Sequence, residues 1–313
     1  NIEEVPELRD VILFDSPSEL TMERAALQGI RVHKFIDFED IGRHSTDKQR
    51  SEIEAEIDKT DGSDVATIIF TSGTTGTPKG VMLTHDNFIC QCEVVKDVLT
   101  NAKEGDMWLS VLPVWHIMER VFGYFIISLK CGIAYSKPSI ELMREDINVI
   151  HPEWIVGVPR LWDAFIQSCY REQRKKGGFS SALFNIAMST EKIFCWANNR
   201  IRGLVCRFSL KQKILDRIIG VIPFIVFAIP AGLAYLLTIR KLRQKLGGKI
   251  KACVCGGGSL QPENDLIFRA MRVPLLDCYG MTETAPILSI RNPKRPMSGC
   301  VGKIFPSAEI KVV

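Results

Sequence analysis

The sequence predicts an α/β protein built on a mainly parallel sheet, with flanking helices in a layered arrangement. Two observations carry that expectation. Short apolar runs of strand length recur along the chain, and the stretches between them have helical length and pattern. The composition is also that of an ordinary globular protein, with 46% hydrophobic and 24% charged residues in a chain of 313. Such a length corresponds to about two domains, or one large α/β unit, and is ample to bury a core. Wholesale disorder, collagen and a small disulfide-stapled scaffold are excluded.

Val11 to Phe14 reads as a buried strand closed by Asp15 and Pro17. Residues 45–60 are rich in charge and helix formers, with Ile53 and Ile57 four apart, and read as a surface helix ending before Asp61-Gly62. Val65 to Phe70 is a strand, Thr71 to Gly80 a loop, and Val81 to Leu83 a further strand. Asn87 is placed as the N-cap of a helix reaching about Leu99. Trp108 to Leu112, Ile133 to Tyr135 and Trp154 to Val156 are strands between helical patterns, and Lys251 to Cys255 leads into Gly256-Gly257-Gly258. Alternation of this kind argues for a sheet covered on both faces.

The net charge of +4 hides an asymmetry. From Lys192 to Lys251 there are thirteen basic residues and one acid, Asp216. Within that segment, Ile218 to Ile239 is uncharged over 22 residues, the length of a membrane span, and Pro223 and Pro230 interrupt it. Basic residues at both ends give no orientation for a single crossing. The expectation is a prolyl-broken hairpin or interfacial helix pair that meets a membrane surface through residues 192–251. The alternative is a helix buried in the protein.

The ten cysteines include no CxxC, which suits a reducing, cytosol-facing compartment. The chain opens on Asn1 without a leader and closes on the apolar run Ile310, Lys311, Val312, Val313, so an internal piece of a longer protein is expected. No nucleic-acid partner is expected.

Thr71-Ser72-Gly73-Thr74-Thr75-Gly76-Thr77-Pro78-Lys79-Gly80 carries the strongest chemical signal. A polyphosphate needs unhindered backbone N–H groups, hydroxyl donors and a mobile cation, and this loop supplies all three, the cation being Lys79. It differs from the P-loop of the common NTPases, because Gly80 follows Lys79 where a Ser or Thr would hold Mg2+.

In this loop the sequence resembles the adenylate-forming superfamily, which comprises acyl-CoA synthetases, luciferases and peptide-synthetase adenylation domains. Gly256-Gly257-Gly258-Ser259 and Tyr279-Gly280-Met281-Thr282-Glu283, the latter preceded by Asp277 and Cys278, resemble its later motifs, in the family's order. The resemblance implies that the glycines and Asp277 to Gly280 lie along the nucleotide, with Tyr279 packed on the adenine ring. It implies that Thr282 contacts phosphate and that Glu283, with Thr74, holds Mg2+, as suits a hard cation that prefers oxygen ligands. Leu112-Pro113-Val114-Trp115-His116-Ile117-Met118-Glu119-Arg120 and Gly157-Val158-Pro159-Arg160-Leu161-Trp162 are similar to the long-chain fatty acyl-CoA synthetase branch. His116 is then expected beside the carboxylate being activated, whereas Glu119 and Arg120 have the simpler alternative of pairing with each other. Trp115 is bulky where that branch often has a small residue.

The resemblance covers nearly the whole chain and implies part of the family's large N-terminal AMP-binding domain. The implied activity is ATP-dependent conversion of a long-chain fatty acid to acyl-adenylate and then, with coenzyme A, to acyl-CoA. His116, Lys79, Thr282 and Glu283 are the expected catalytic residues, and Thr71, Ser72, Gly73, Thr74, Thr75 and Gly76 the phosphate cradle. The alternatives are a medium-chain or aryl acid, or a non-catalytic membrane-associated nucleotide-binding module. The family's ribose carboxylate and its C-terminal adenylation lysine are expected beyond Val313, so the 313-residue piece alone is expected to make little acyl-AMP.

Overall fold

The computed structural model describes residues 7–72 and 76–311, and the chain divides after Asp61 into two units. The first unit pairs β1 (Asp10–Leu13) in parallel with β2 (Arg31–Lys34) and adds the helices α1 (Glu19–Leu27), α2 (Phe35–Arg43) and α3 (Asp47–Lys59). Thr46 and Gln49 close a capping box at the start of α3, the helix expected from residues 45–60. No described residue of this unit is fully buried, and Phe14 is 84% exposed. The expected buried strand at Val11 to Phe14 is therefore a half-exposed one. Two strands on their own present too little surface to sequester an apolar face.

In the second unit β3 (Val65–Thr71) and β4 (Lys79–Thr84) form an antiparallel hairpin that leads into α4 (His85–Val98). Thr84, not Asn87, is the N-cap of α4: the Thr84 hydroxyl accepts from the Asn87 N–H, and the Asn87 side chain accepts from the Thr84 N–H. The expected cap is thus the far partner of a capping box.

The chain continues through β5 (Met107–Ser110), α5 (Ile117–Ser128), β6 (Gly132–Tyr135), α6 (Ile140–Ile150), β7 (Trp154–Gly157), α7 (Pro159–Lys176), α8 (Gly178–Ile201) and α9 (Leu210–Ala234). A π-helical turn, Tyr235–Ile239, joins α9 to α10 (Arg240–Gln244). Then come β8 (Ala252–Cys255), α11 (Pro262–Ala270), β9 (Leu275–Gly280), a 3-10 turn (Thr282–Thr284), β10 (Ile287–Ile290) and β11 (Lys303–Ile304). The sheet order is β11-β10-β9-β8-β7-β5-β6, parallel from β6 to β9, with β10 and β11 antiparallel.

Strand alternation distributes the core between the two faces of this sheet. Leu109, Ile155, Cys253, Cys255 and Leu275 pack with side chains of α6, α7, α8 and α11. Trp108, Trp154, Val156, Val254 and Leu276 pack with side chains of α4 and α5. Trp108 and Trp154, neighbours across β5 and β7, stack at 4.7 Å, and the indole N–H of Trp154 donates to Asp106. The layered α/β class expected from the sequence is the architecture observed.

The apolar segment departs from expectation. Leu210 to Gln244 is one continuous helix of 35 residues, neither a hairpin nor a helix pair. A proline removes a backbone hydrogen bond and kinks a helix, but tertiary packing can hold the helix together through that defect. Here α8 supplies the packing: Phe194 stacks on Phe224 at 5.2 Å, and a Cβ on Gly220 would stand 3.0 Å from the Ala197 carbonyl oxygen. Nor is the helix interior to the protein, since only 17% of its most apolar window is buried.

Candidate functional site

The described ends of the glycine-rich loop lie at the tip of the β3–β4 hairpin. Antiparallel register sets Thr71 opposite Lys79, so the hydroxyl-bearing end of one strand faces the cation at the start of the next. Gly76 has φ +82° and open space around it. Gly73, Thr74 and Thr75 lie outside the described residues. Lys79 is exposed and forms no ion pair among the described residues. Leu83, Val81 and Ile69 of the hairpin join Phe88 of α4, Ile117 and Val121 of α5, and Ala285 after the 3-10 turn in one apolar cluster. The hairpin is tied further to α5 by Arg120, which donates to the Thr67 hydroxyl at 2.8 Å and lies over the rings of Phe88 and Tyr124.

The other two motifs meet where strands end. Gly256 and Gly257 follow β8, Cys278 to Gly280 close β9, and His116 caps α5 after β5. A cleft of about 120 Å³ is lined by His116, Gly257, Cys278, Gly280 and Thr282, with Ile117, Met118, Met281, Pro286 and Ile287. Five expected site residues from three distant stretches of sequence therefore share one depression at the carboxyl ends of parallel strands, where open α/β sheets bind ligands.

Two glycines are required there by close approach. A Cβ on Gly280 would stand 1.7 Å from the Pro286 carbonyl oxygen, and one on Gly256 would stand 2.5 Å from the Cys278 sulfur. The cleft thus has a backbone wall where the nucleotide motifs resemble those of the family.

The His116 Nδ1 accepts the Met118 N–H at 3.3 Å, which in the neutral ring leaves the proton on Nε2 as a donor. Glu119, one turn into α5, is 5% exposed and hydrogen-bonds to the Ser110 side chain and the Leu112 backbone. Burial holds its carboxyl above the usual range, and its Oε2 has no partner. Glu119 and Arg120 therefore do not pair with each other: one looks into the interior and the other to the hairpin. Trp115 is 75% exposed and lies outside the cleft lining.

Tyr279 and Glu283 are exposed and flank cleft residues in sequence without lining the cleft. Gly258 is likewise exposed beyond Gly257. Asp277 is the expected residue that the structure directs elsewhere. Alternation along β9 turns it away from Cys278, into a cavity of about 450 Å³ beside α8 and the loop 298–301. There Arg291 lies 3.6 Å from Asp277 and 3.1 Å from Asp265, and burial pushes the Asp277 carboxyl up to about 6. Cys278, on the cleft side, gives its S–H to the Cys255 carbonyl, and burial followed by the neighbouring Asp277 charge pushes its thiol up to about 12.

Met118 and Gln91 are the residues that sequence reasoning passed over. Met118 lines the cleft beneath Gly256. Gln91 donates to the Ile287 carbonyl and accepts the Ile287 N–H, so α4 holds the strand that follows the 3-10 turn. Its partner is 196 residues away, and the sequence offered no local signal for it.

Lys79 at the hairpin, the glycines at the ends of β8 and β9 and the Thr282 hydroxyl are groups of the kind that bind a nucleotide phosphate. The profile of the AMP-binding enzyme family matches residues 10–313, and the chain belongs to that family. It is 33% identical over 267 residues to the probable acyl-activating enzyme 16 of Arabidopsis thaliana, covering 82% of the chain and 36% of that protein. It is 26% identical over 313 residues to the human long-chain-fatty-acid–CoA ligase 1, covering 99% of the chain and 39% of that protein. The chain thus spans under two fifths of the length of these relatives. Among solved structures, o-succinylbenzoate CoA synthetase from Bacillus subtilis superposes with TM-score 0.56 at 17% identity, over 100% of this chain and 47% of that one. MatB from Rhodopseudomonas palustris superposes with TM-score 0.55 at 16% identity, over 95% of this chain and 45% of that one. At such identities the likeness shows the fold, which is that of adenylate-forming enzymes.

Proposed function

We propose that the protein of which this chain is part activates a long-chain fatty acid and transfers it to coenzyme A, releasing AMP and pyrophosphate. The observation that supports this reading is the single cleft gathering His116, Gly257, Cys278, Gly280 and Thr282. A carboxylate is a poor acyl donor until its oxygen becomes a good leaving group. Attack by a carboxylate oxygen on the α-phosphorus of ATP, with the bond to pyrophosphate breaking, supplies that group. Attack by the thiol of coenzyme A on the acyl carbonyl then expels AMP.

In this scheme Lys79 and the hydroxyls of the hairpin loop, Thr71, Ser72, Thr74 and Thr75, offset charge on the departing pyrophosphate. Backbone at Gly256 to Gly258 and at Gly280, with the Tyr279 ring, accommodates the adenine, and Thr282 donates to phosphate. The Nε2–H of His116 faces the oxygen of the acid. Glu283 has no ion pair among the described residues, which leaves an oxygen ligand suited to Mg2+, with Thr74 as its partner. Mg2+ bound there would neutralise charge on the phosphates. Asp277 acts only through the strand that carries it. We place the working protein at the cytoplasmic face of a membrane, where its acid substrate partitions.

Thioester formation by the full-length protein, followed as loss of the coenzyme A thiol over a panel of palmitate, octanoate and benzoate, tests the substrate class. The proposal expects palmitate to have the highest kcat/KM. A preference for octanoate or benzoate would replace the long-chain reading by that of a medium-chain or aryl acid ligase, and no turnover with any acid would favour a non-catalytic nucleotide-binding module.

A further inference from the structure

Helix α9, its π turn and α10 form a rod about 50 Å long at 1.5 Å per residue, held to the protein along one side only. Asp216, Gly220, Ala231, Tyr235, Ile239 and Leu242 are buried on that side. Asp216, the sole acid between Lys192 and Lys251, is paired with Arg200 at 3.1 Å and Arg207 at 2.7 Å, which pins the start of the rod to α8. The opposite side carries Ile214, Ile218, Ile222, Ile225, Ile229 and Leu233, each at least 50% exposed and spaced three or four apart, so they form a single outward stripe. Lys211, Lys213 and Arg217 stand before the uncharged stretch and Arg240 and Lys241 after it, exposed and without ion pairs among the described residues. Apolar patches of this extent rarely face water in a soluble protein.

We propose that this stripe lies in the plane of an anionic lipid bilayer surface, inserted to the depth of its isoleucines, with the five flanking cations among the headgroups. An uninterrupted apolar row between two clusters of unpaired positive charge is the complement of a headgroup layer over hydrocarbon. A protein partner would need a matching row of acids at both ends of a long apolar groove. A crossing is disfavoured by the backing helix, because α8 brings Glu191, Lys192 and Arg200 alongside, and these would enter the hydrocarbon with it. The hairpin that precedes the rod and Ala285, which follows it, also share one cluster, so both ends of the rod lead back to the same side.

The test is flotation of the full-length protein with vesicles of phosphatidylcholine alone or with about 30 mol% phosphatidylserine. The proposal expects low-salt binding to the anionic vesicles that weakens as salt rises. The double variant Ile222→Asn/Ile229→Asn should bind them at least about tenfold more weakly, with an unchanged melting curve because both positions are exposed. Lys211→Glu/Lys241→Glu should bind them roughly tenfold more weakly while leaving binding to phosphatidylcholine unchanged. No flotation of the wild type, or equal flotation of either variant, would overturn the proposal. So would a wild type that does not float but is a dimer that the isoleucine variant converts to monomer, since the stripe would then face a second copy. Palmitate-dependent pyrophosphate exchange, measured on the same preparations, separates this proposal from the ligase reading: flotation without exchange sinks only the latter, and exchange without flotation only the former.

Discussion

Arg120 on α5 donates to Thr67 on β3 at 2.8 Å, and this contact joins the helix that His116 caps to the hairpin that carries Lys79. The two catalytic candidates are thereby mounted on elements that share a hydrogen bond and an apolar cluster. Removing Arg120 leaves the half-buried Thr67 hydroxyl without this donor.

Arg120→Ala should therefore cost about 1–3 kcal/mol of stability, counting the lost charged hydrogen bond and the two ring contacts. Chemical denaturation reads this directly. Arg120→Lys should recover little, because an ammonium does not reproduce the planar fork. A midpoint equal to wild type in the alanine variant would show that the contact carries no energy.

Lys79→Ala and Glu283→Ala test the charges assigned to phosphate and metal. Each should slow adenylation in the full-length protein by well over tenfold, as loss of about 2–4 kcal/mol of transition-state stabilisation implies. The melting temperature should stay within a degree or two of wild type, since both side chains are exposed and form no ion pair among the described residues. Pyrophosphate-exchange rates beside melting curves make the comparison.

Gly280→Ala should be far more damaging than an ordinary strand substitution. The new Cβ would meet the Pro286 carbonyl oxygen, a backbone atom that moves only if the turn after β9 moves. An expected loss of about 3 kcal/mol or more puts the variant near the limit of folding, to be read from its soluble yield and melting temperature. A variant as stable as wild type would show that this wall of the cleft is soft.

Glu191 gives a pH dependence with a definite sign. It is fully buried on α8, and burial pushes its carboxyl from the ordinary 4.5 up to about 7, against the opposing pull of Arg272 at 3.7 Å. The folded state therefore holds its proton more tightly than the unfolded state does. Its contribution to stability is fully present below about pH 4.5 and is lost as pH rises to about 7, by as much as about 3 kcal/mol. Glu191→Gln should flatten the profile of unfolding free energy across that window. An unchanged slope would assign the pH dependence to other groups, of which Asp277 is the first to examine.

The loop at residues 71–80 was legible as a connection between two strands because hydroxyls and glycines are concentrated in it, and the structure places its described part in a hairpin turn. The parallel sheet was legible from its short apolar strands. Asp277 was not, because sequence adjacency to Cys278 hides the fact that neighbours on a strand face opposite ways. The form of residues 218–239 was misread for a related reason: Pro223 and Pro230 signal a break locally, whereas Phe194 and Ala197 of α8 hold the helix together. Val11 to Phe14 has strand composition, but burial depends on what else covers it, and composition does not record that.

The central claim, that the full-length protein forms an acyl-adenylate with Lys79 on the phosphates, is tested most directly by ATP–pyrophosphate exchange with and without palmitate. The account predicts exchange that requires palmitate and Mg2+ and falls well over tenfold in Lys79→Ala. Exchange that proceeds equally without an acid, or at the wild-type rate in Lys79→Ala, would contradict it.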